Sequence, residues 1–188
     1  MSVLFMKRVL LPVVSALVLV ACATVSSSSN SPAKSPNDDN QYRYLVLENK
    51  LQVLLISDPQ TRKAAAALDV MVGSGDNPSG RAGLAHFLEH MLFLGTDKYP
   101  DAAEYEQYIT EHGGNRNAYT SLEITNDFFD INPEHLPEAL DRFAQFFIAP
   151  RFDAQYVERE KKAVEAEYQM GLKSDGRRGL DVLQEVMN

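Results

Sequence analysis

Gly83-Leu84-Ala85-His86-Phe87-Leu88-Glu89-His90-Met91-Leu92-Phe93-Leu94 is the stretch from which the rest of the chain can be read. Only His86, Glu89 and His90 interrupt its apolar side chains. A segment apolar on nearly all sides predicts a buried helix, here spanning Gly83 to Leu94. At about 100° per residue, His86 and His90 lie about 40° apart, and Glu89, three residues after His86, shares their face. Polar groups buried without partners cost several kcal/mol, and a divalent cation would compensate all three. Two imidazoles at i and i+4 can both reach one Zn²⁺ at about 2.0–2.1 Å. The order H-x-x-E-H reverses the H-E-x-x-H of thermolysin-type enzymes. The physics survives reversal: two ligands on one stripe, with a carboxylate beside them to act as a base. The plain alternative is two hydrogen-bonded core histidines with Glu89 in an ion pair nearby.

A catalytic zinc site takes three protein ligands and keeps one position open. The helix predicted over Asp153–Lys173 offers Glu158, Glu160, Glu165 and Glu167. Glu160 and Glu167 are seven residues apart, about 20° in projection, and so share a face. One could bind metal while the other orients a histidine from behind. A solvated acidic face balanced by Arg159, Lys161 and Lys162 explains the same residues without metal.

Working outward, Tyr42–Leu47 and Leu51–Ser57 flank Glu48-Asn49-Lys50 and read as a β-hairpin. Ala64–Val72 is a third apolar run. Gly73-Ser74-Gly75 suggests a phosphate loop, but Pro78 stands where a dinucleotide fingerprint wants glycine and no GK[ST] follows, so the segment reads as a plain loop. A helix is predicted from Asp101, as N-cap, to His112, with Gly113 as its stop. Asn117–Ile131 holds a strand or hairpin. Pro133–Phe147 reads as a helix capped by Asn132, and Arg178–Met187 as the start of another. Strands come first, then mixed helices and strands without strict alternation. The fold class is therefore α+β, with helices on a mainly antiparallel sheet. His112, at a helix C-terminus, and His135, after Pro133, have ordinary reasons to exist and are not expected to be ligands.

The chain has 188 residues, a net charge of −8 and one Cys. Its 45% hydrophobic and 23% charged residues are those of a globular protein. The acidic balance argues against nucleic acid as a partner. A single Cys supplies neither an intrachain disulfide nor a Cys-rich zinc site. Lys7 and Arg8 precede an apolar run, Val9–Ala21, that is too short to span a membrane and fits a secretory signal. It ends in Leu19-Val20-Ala21-Cys22, which resembles the bacterial lipobox, with Cys22 as the lipidated residue. Met6, just before Lys7, is an alternative start to Met1. Ala23 after the Cys points, by resemblance, to the outer membrane of a bacterial envelope, on its periplasmic side. Loss of residues 1–21 removes two cations and no acid, giving 16 − 26 = −10. Ser26–Asn40 is rich in Ser, Pro, Asn and Asp and reads as a tether with a mean reach of about 20 Å. The expected organisation is signal peptide 1–21, lipidated tether 22–40 and folded part 41–188.

Gly83–Thr96 closely resembles the active-site helix of the pitrilysin/insulysin (insulinase) zinc metallopeptidases. Their downstream E-x6-E is matched by Glu160 and Glu167. Glu167 lies 167 − 90 = 77 positions after His90, where the family places its third ligand. The resemblance implies His86, His90 and Glu167 as ligands of one Zn²⁺ per chain, Glu89 as general base and Glu160 as the carboxylate behind the ligands. Gly113–Thr120 matches a family segment in which Asn117-Ala118 would hold an extended peptide substrate by strand addition. The implied activity is zinc-dependent endopeptidase. Family members close two halves around the substrate, so a second half-domain or subunit is expected as partner, and the chain reads as the N-terminal part of such an enzyme. The alternative is a zinc-binding or assembly subunit, or a fragment, without turnover of its own. A purely structural lipoprotein domain without metal is a third reading.

Overall fold

A computed structural model describes residues 34–187. The expected signal peptide, Cys22 and the first part of the expected tether lie outside the described residues. The chain divides into two units, one ending at Pro59 and one beginning at Gln60.

In the first unit, β1 (Gln41–Val46) and β2 (Gln52–Ser57) pair antiparallel, with Gln41 opposite Ser57 and Val46 opposite Gln52. This is the expected hairpin. Lys50, at φ 72°, makes its turn, and Leu47 N–H donates to Leu51 O at 2.9 Å.

The second unit carries a three-stranded antiparallel sheet in the order β3-β5-β4. β3 is Ala64–Val70, β4 Asn115–Thr120 and β5 Thr125–Ile131. The Asn117–Ile131 region is thus a hairpin, closed by Ser121 N–H donating to Ile124 O at 2.8 Å. Side chains alternate across a strand. Phe129 and Ile131 of β5, with Ala64, Ala66 and Leu68 of β3, therefore share the face covered by helices. Those helices are α1 (Leu84–Leu92), α2 (Glu104–Glu111) and α3 (Leu136–Ile148). Leu92, Tyr105, Ile109, Phe129, Ile131, Ala139, Phe143 and Phe146 form one buried cluster. Its aromatic rings meet edge to face, Tyr105 and Phe146 at 4.8 Å and Phe129 and Phe143 at 5.3 Å between centroids. Two more helices follow, α4 (Ala154–Gly171), which packs on α1, and α5 (Asp175–Met187). The α+β class with helices on an antiparallel sheet stands.

Three local expectations are corrected. Asp101 is not the cap of α2. Its Oδ1 accepts from Ala103 N–H at 2.9 Å, a turn that competes with the helix, and α2 starts only at Glu104. The Pro133 segment is a 3₁₀ turn, Pro133–His135, before α3 begins at Leu136. α1 is not buried all round: Leu84 and Leu88 are exposed. The Gly73-Ser74-Gly75 segment proves to be a packing device. A Cβ at Gly73 would lie 2.4 Å from Ser121 O, so only glycine lets this loop sit against the β4–β5 turn.

Candidate metal centre and active site

α1 lies between α4 and the sheet, and its three polar residues divide accordingly. The histidines turn towards α4. His86 and His90 face each other, ring centroids 4.7 Å apart and planes at 81°, with their Nε2 atoms 3.2 Å apart. Glu167 of α4 sits against both, its Oε2 3.4 Å from His86 Nε2 and its Oε1 3.8 Å from His90 Nε2. One donor atom from each of His86, His90 and Glu167 falls within 4.8 Å of the other two. Glu160, two turns earlier on the same face, reaches the other side of the His90 ring, its Oε2 3.2 Å from Nδ1. Arg159 Nε donates to the second oxygen of Glu160 at 2.7 Å. Sequence spacing put both carboxylates on one face but left their roles open. The geometry separates them, one meeting Nε2 of both rings and one meeting a single Nδ1.

Two imidazole nitrogens and a carboxylate oxygen, converging with their Nε2 lone pairs towards a common point, fit a three-ligand zinc site with one open position. The set is half-buried: His86 is 32% exposed, His90 18% and Glu167 44%. Water and a substrate can therefore approach.

Glu89 turns the other way, towards the sheet, and is only 7% exposed. Thr120 of β4 donates its hydroxyl to Glu89 Oε2. Thr125, opposite Thr120 on β5, anchors the same corner by donating to Val72 O at 2.9 Å.

Among the described residues, β4 pairs with β5 alone and forms the sheet edge nearest α1. Asn117 is exposed and Ala118 half-buried. The N–H groups of Arg116 and Ala118 donate to Oδ1 of the preceding Asn115 and Asn117, each at 2.9 Å. Alternate residues of an antiparallel edge strand turn their N–H groups away from the partner. These two amides are therefore held by side chains in place of a further strand.

His112 and His135 stand apart from the cluster. His112 Nδ1–H donates to Tyr108 O at 2.7 Å, and its ring lies against that of His135, centroids 3.9 Å apart and planes tilted by 52°.

The profile of Insulinase (Peptidase family M16) matches residues 52–186. The chain belongs to the insulinase family of metallopeptidases. Within the family it is 55% identical over 153 residues to insulin-degrading enzyme-like 2 of Arabidopsis thaliana, covering 81% of this chain and 16% of that protein. It is 54% identical over 146 residues to human insulin-degrading enzyme, covering 78% and 14%. The crystal structure of pitrilysin superposes with a TM-score of 0.75 at 42% identity, over 79% of this chain and 16% of that one. This insulinase-family chain thus spans about one-sixth of the length of the relatives it matches.

Sequence reasoning missed two residues of the site. Thr120 ends the Gly113–Thr120 segment, and nothing in its spacing marks it as a partner of Glu89. Asp127 stands two residues before Phe129 and four before Ile131, at an inward position of an alternating strand. That alternation was the available signal.

Proposed function

We propose that this chain is a zinc-dependent endopeptidase domain that hydrolyses extended peptides. The observation that carries the reading is the convergence of His86, His90 and Glu167 donor atoms within 4.8 Å beside the buried Glu89. His86, His90 and Glu167 would hold one Zn²⁺, which when bound supplies Lewis acidity to a peptide carbonyl and to water. Glu89 accepts the proton of the attacking water and returns it to the leaving amine. Thr120 holds the Glu89 carboxylate in place through one oxygen and leaves the other free to act. Glu160 accepts from His90 Nδ1–H and so presents the Nε2 lone pair to the metal. The substrate backbone adds to β4 at Asn117 and Ala118, displacing the asparagine side chains from the edge amides. Backbone pairing accepts many sequences, as an oligopeptidase requires.

The zinc reading assigns no residue of this chain as donor to the oxyanion. The chain's one-sixth share of its relatives' length favours a second half-domain or subunit that supplies it. Loss of one such donor costs about 10²–10³ in rate. Lipidation at Cys22, with the tether that follows, would hold the domain at the periplasmic side of an outer membrane. A Cys22→Ser variant should then leave the membrane fraction.

The test is cleavage of an unstructured peptide library by the full chain, alone and with a candidate second half, with zinc titrated. One zinc per chain is expected, with cleavage that depends on Glu89. Absence of stoichiometric zinc, or turnover unchanged in Glu89→Gln, overturns the reading.

A further inference from the structure

The cap position of α1 is Gly83, at φ 81°. That left-handed backbone favours glycine, and glycine brings no side chain to the open amides of the first turn. The missing acceptor comes from outside the helix. Asn77 Oδ1 accepts from Ala85 N–H at 2.9 Å. Backbone carbonyls serve the amides on either side, Arg81 O accepting from Leu84 N–H at 3.2 Å and Gly83 O from Phe87 N–H at 2.8 Å. A side chain thus holds the amide immediately before His86, the first histidine of the cluster.

Asn77 is itself fastened to the sheet. It follows a 3₁₀ turn, Ser74–Asp76, that sits on the β4–β5 turn. Ser74 N–H donates to Ser121 O and Gly75 N–H to Leu122 O, each at 2.8 Å. Asp76 Oδ2 closes the turn by accepting from Gly73 N–H at 2.9 Å. Ser121 directly follows Thr120, whose hydroxyl donates to Glu89. The end of β4 is therefore joined to α1 at two points, through Thr120 to Glu89 and through loop 73–77 to Ala85. One attachment would leave the helix a pivot. Two set both its height and its roll.

We infer that Asn77 is a positioning residue for the helix that carries the histidines: by capping α1 from a loop fastened to β4, it sets His86 and His90 against the strand edge that takes the peptide. This rests on the zinc-peptidase reading of the cluster. Asn77 acts through the Ala85 amide. A misplacement of about 1 Å, even from a change far from the chemistry, can cost about 10²-fold in rate, which gives such a link its value.

The experiment compares the full chain with Asn77→Ala, which loses the acceptor, and Asn77→Asp, which keeps it. In the metal-free protein, exchange of the Ala85 amide, followed by NMR, should be about 10-fold faster in Asn77→Ala, while the amides of α3 keep their rates. Zinc affinity, measured by chelator competition well below the unfolding temperature, should fall roughly 3–10-fold in Asn77→Ala and return in Asn77→Asp. A cap with a merely structural role would lower the unfolding temperature and leave that affinity unchanged. Should Asn77→Ala not fold, Asn77→Gln, which moves the oxygen by one carbon, is read in the same way. An unchanged Ala85 exchange rate, or a loss of affinity that Asn77→Asp does not restore, overturns the inference. A wild-type chain that binds no zinc overturns the peptidase reading and the positioning role with it, whereas a chain that binds zinc equally with and without the Asn77 acceptor overturns the positioning role alone.

Discussion

Glu160 Oε2 lies 3.2 Å from Nδ1 of His90, on the side of the ring remote from Glu167. A carboxylate at Nδ1 selects the tautomer in which that nitrogen carries the proton, leaving the Nε2 lone pair for a metal. Arg159 completes the arrangement by holding the second oxygen of Glu160, itself only 12% exposed. Removal of Glu160 should therefore weaken metal binding without abolishing it. Glu160→Gln is expected to lower zinc affinity by about 10–100-fold. Glu167→Gln, which removes a donor from the cluster itself, should cost more. Competition titration with a chromophoric chelator measures both.

Zinc should also stabilise the fold, because the proposed ligands come from two helices, α1 and α4, that part on unfolding. At free zinc of about 100 times Kd the gain is about 2.7 kcal/mol. The expected result is a denaturant midpoint that rises with zinc, falls on chelation and is insensitive to zinc in a His86→Ala, His90→Ala variant. Equilibrium unfolding with and without chelator reads it.

Thr120 is predicted to serve the base and not the metal. Thr120→Val keeps the shape and removes the hydroxyl that Glu89 accepts from. A hydrogen bond to a charged group is worth about 1.5–3 kcal/mol, so turnover should drop by roughly 10–100-fold while zinc content stays the same. Parallel assays of kcat/KM and metal content separate the two effects.

Asp127 gives stability a pH dependence whose sign is fixed by its environment. Below about pH 3.8 the group is protonated in both folded and unfolded chains and contributes no slope. Between 3.8 and about 7 the unfolded chain has lost a proton that the folded chain retains. Stability should therefore fall with rising pH in that window, by up to about 1.4 kcal/mol per pH unit. Above about 7 this slope ends. Asp127→Asn should remove this contribution, as urea unfolding from pH 4 to 8 would show.

The legible part of this protein was its periodic part. H-x-x-E-H on a helix, and two glutamates seven apart on another, are spacing relations that survive any packing. Spacing alone brought His86, Glu89 and His90 onto one stripe and Glu160 and Glu167 onto one face; only the family resemblance singled out the two glutamates from their acidic neighbours. The hairpins were legible from turn residues between β-rich runs. Element starts were less so, because Asp101 and Asn132 carry cap signals that local turns then use differently. What spacing alone could not order was the division of labour between Glu160 and Glu167, which only the resemblance implied, since helical projection places both on one stripe and says nothing of depth.

The sequence by itself determined the chemical repertoire: two imidazoles, their carboxylates and an edge strand rich in asparagine, set at fixed intervals along local elements. Only the tertiary structure decided their environments. It turned Glu89 to the sheet and the histidines to α4, brought Glu167 across the 77 residues (167 − 90) that separate it from His90, and enclosed Asp127 without a donor. The physical reason is that periodicity is a property of consecutive backbone dihedrals, whereas burial, charge coupling and ligand convergence depend on how one element packs on another.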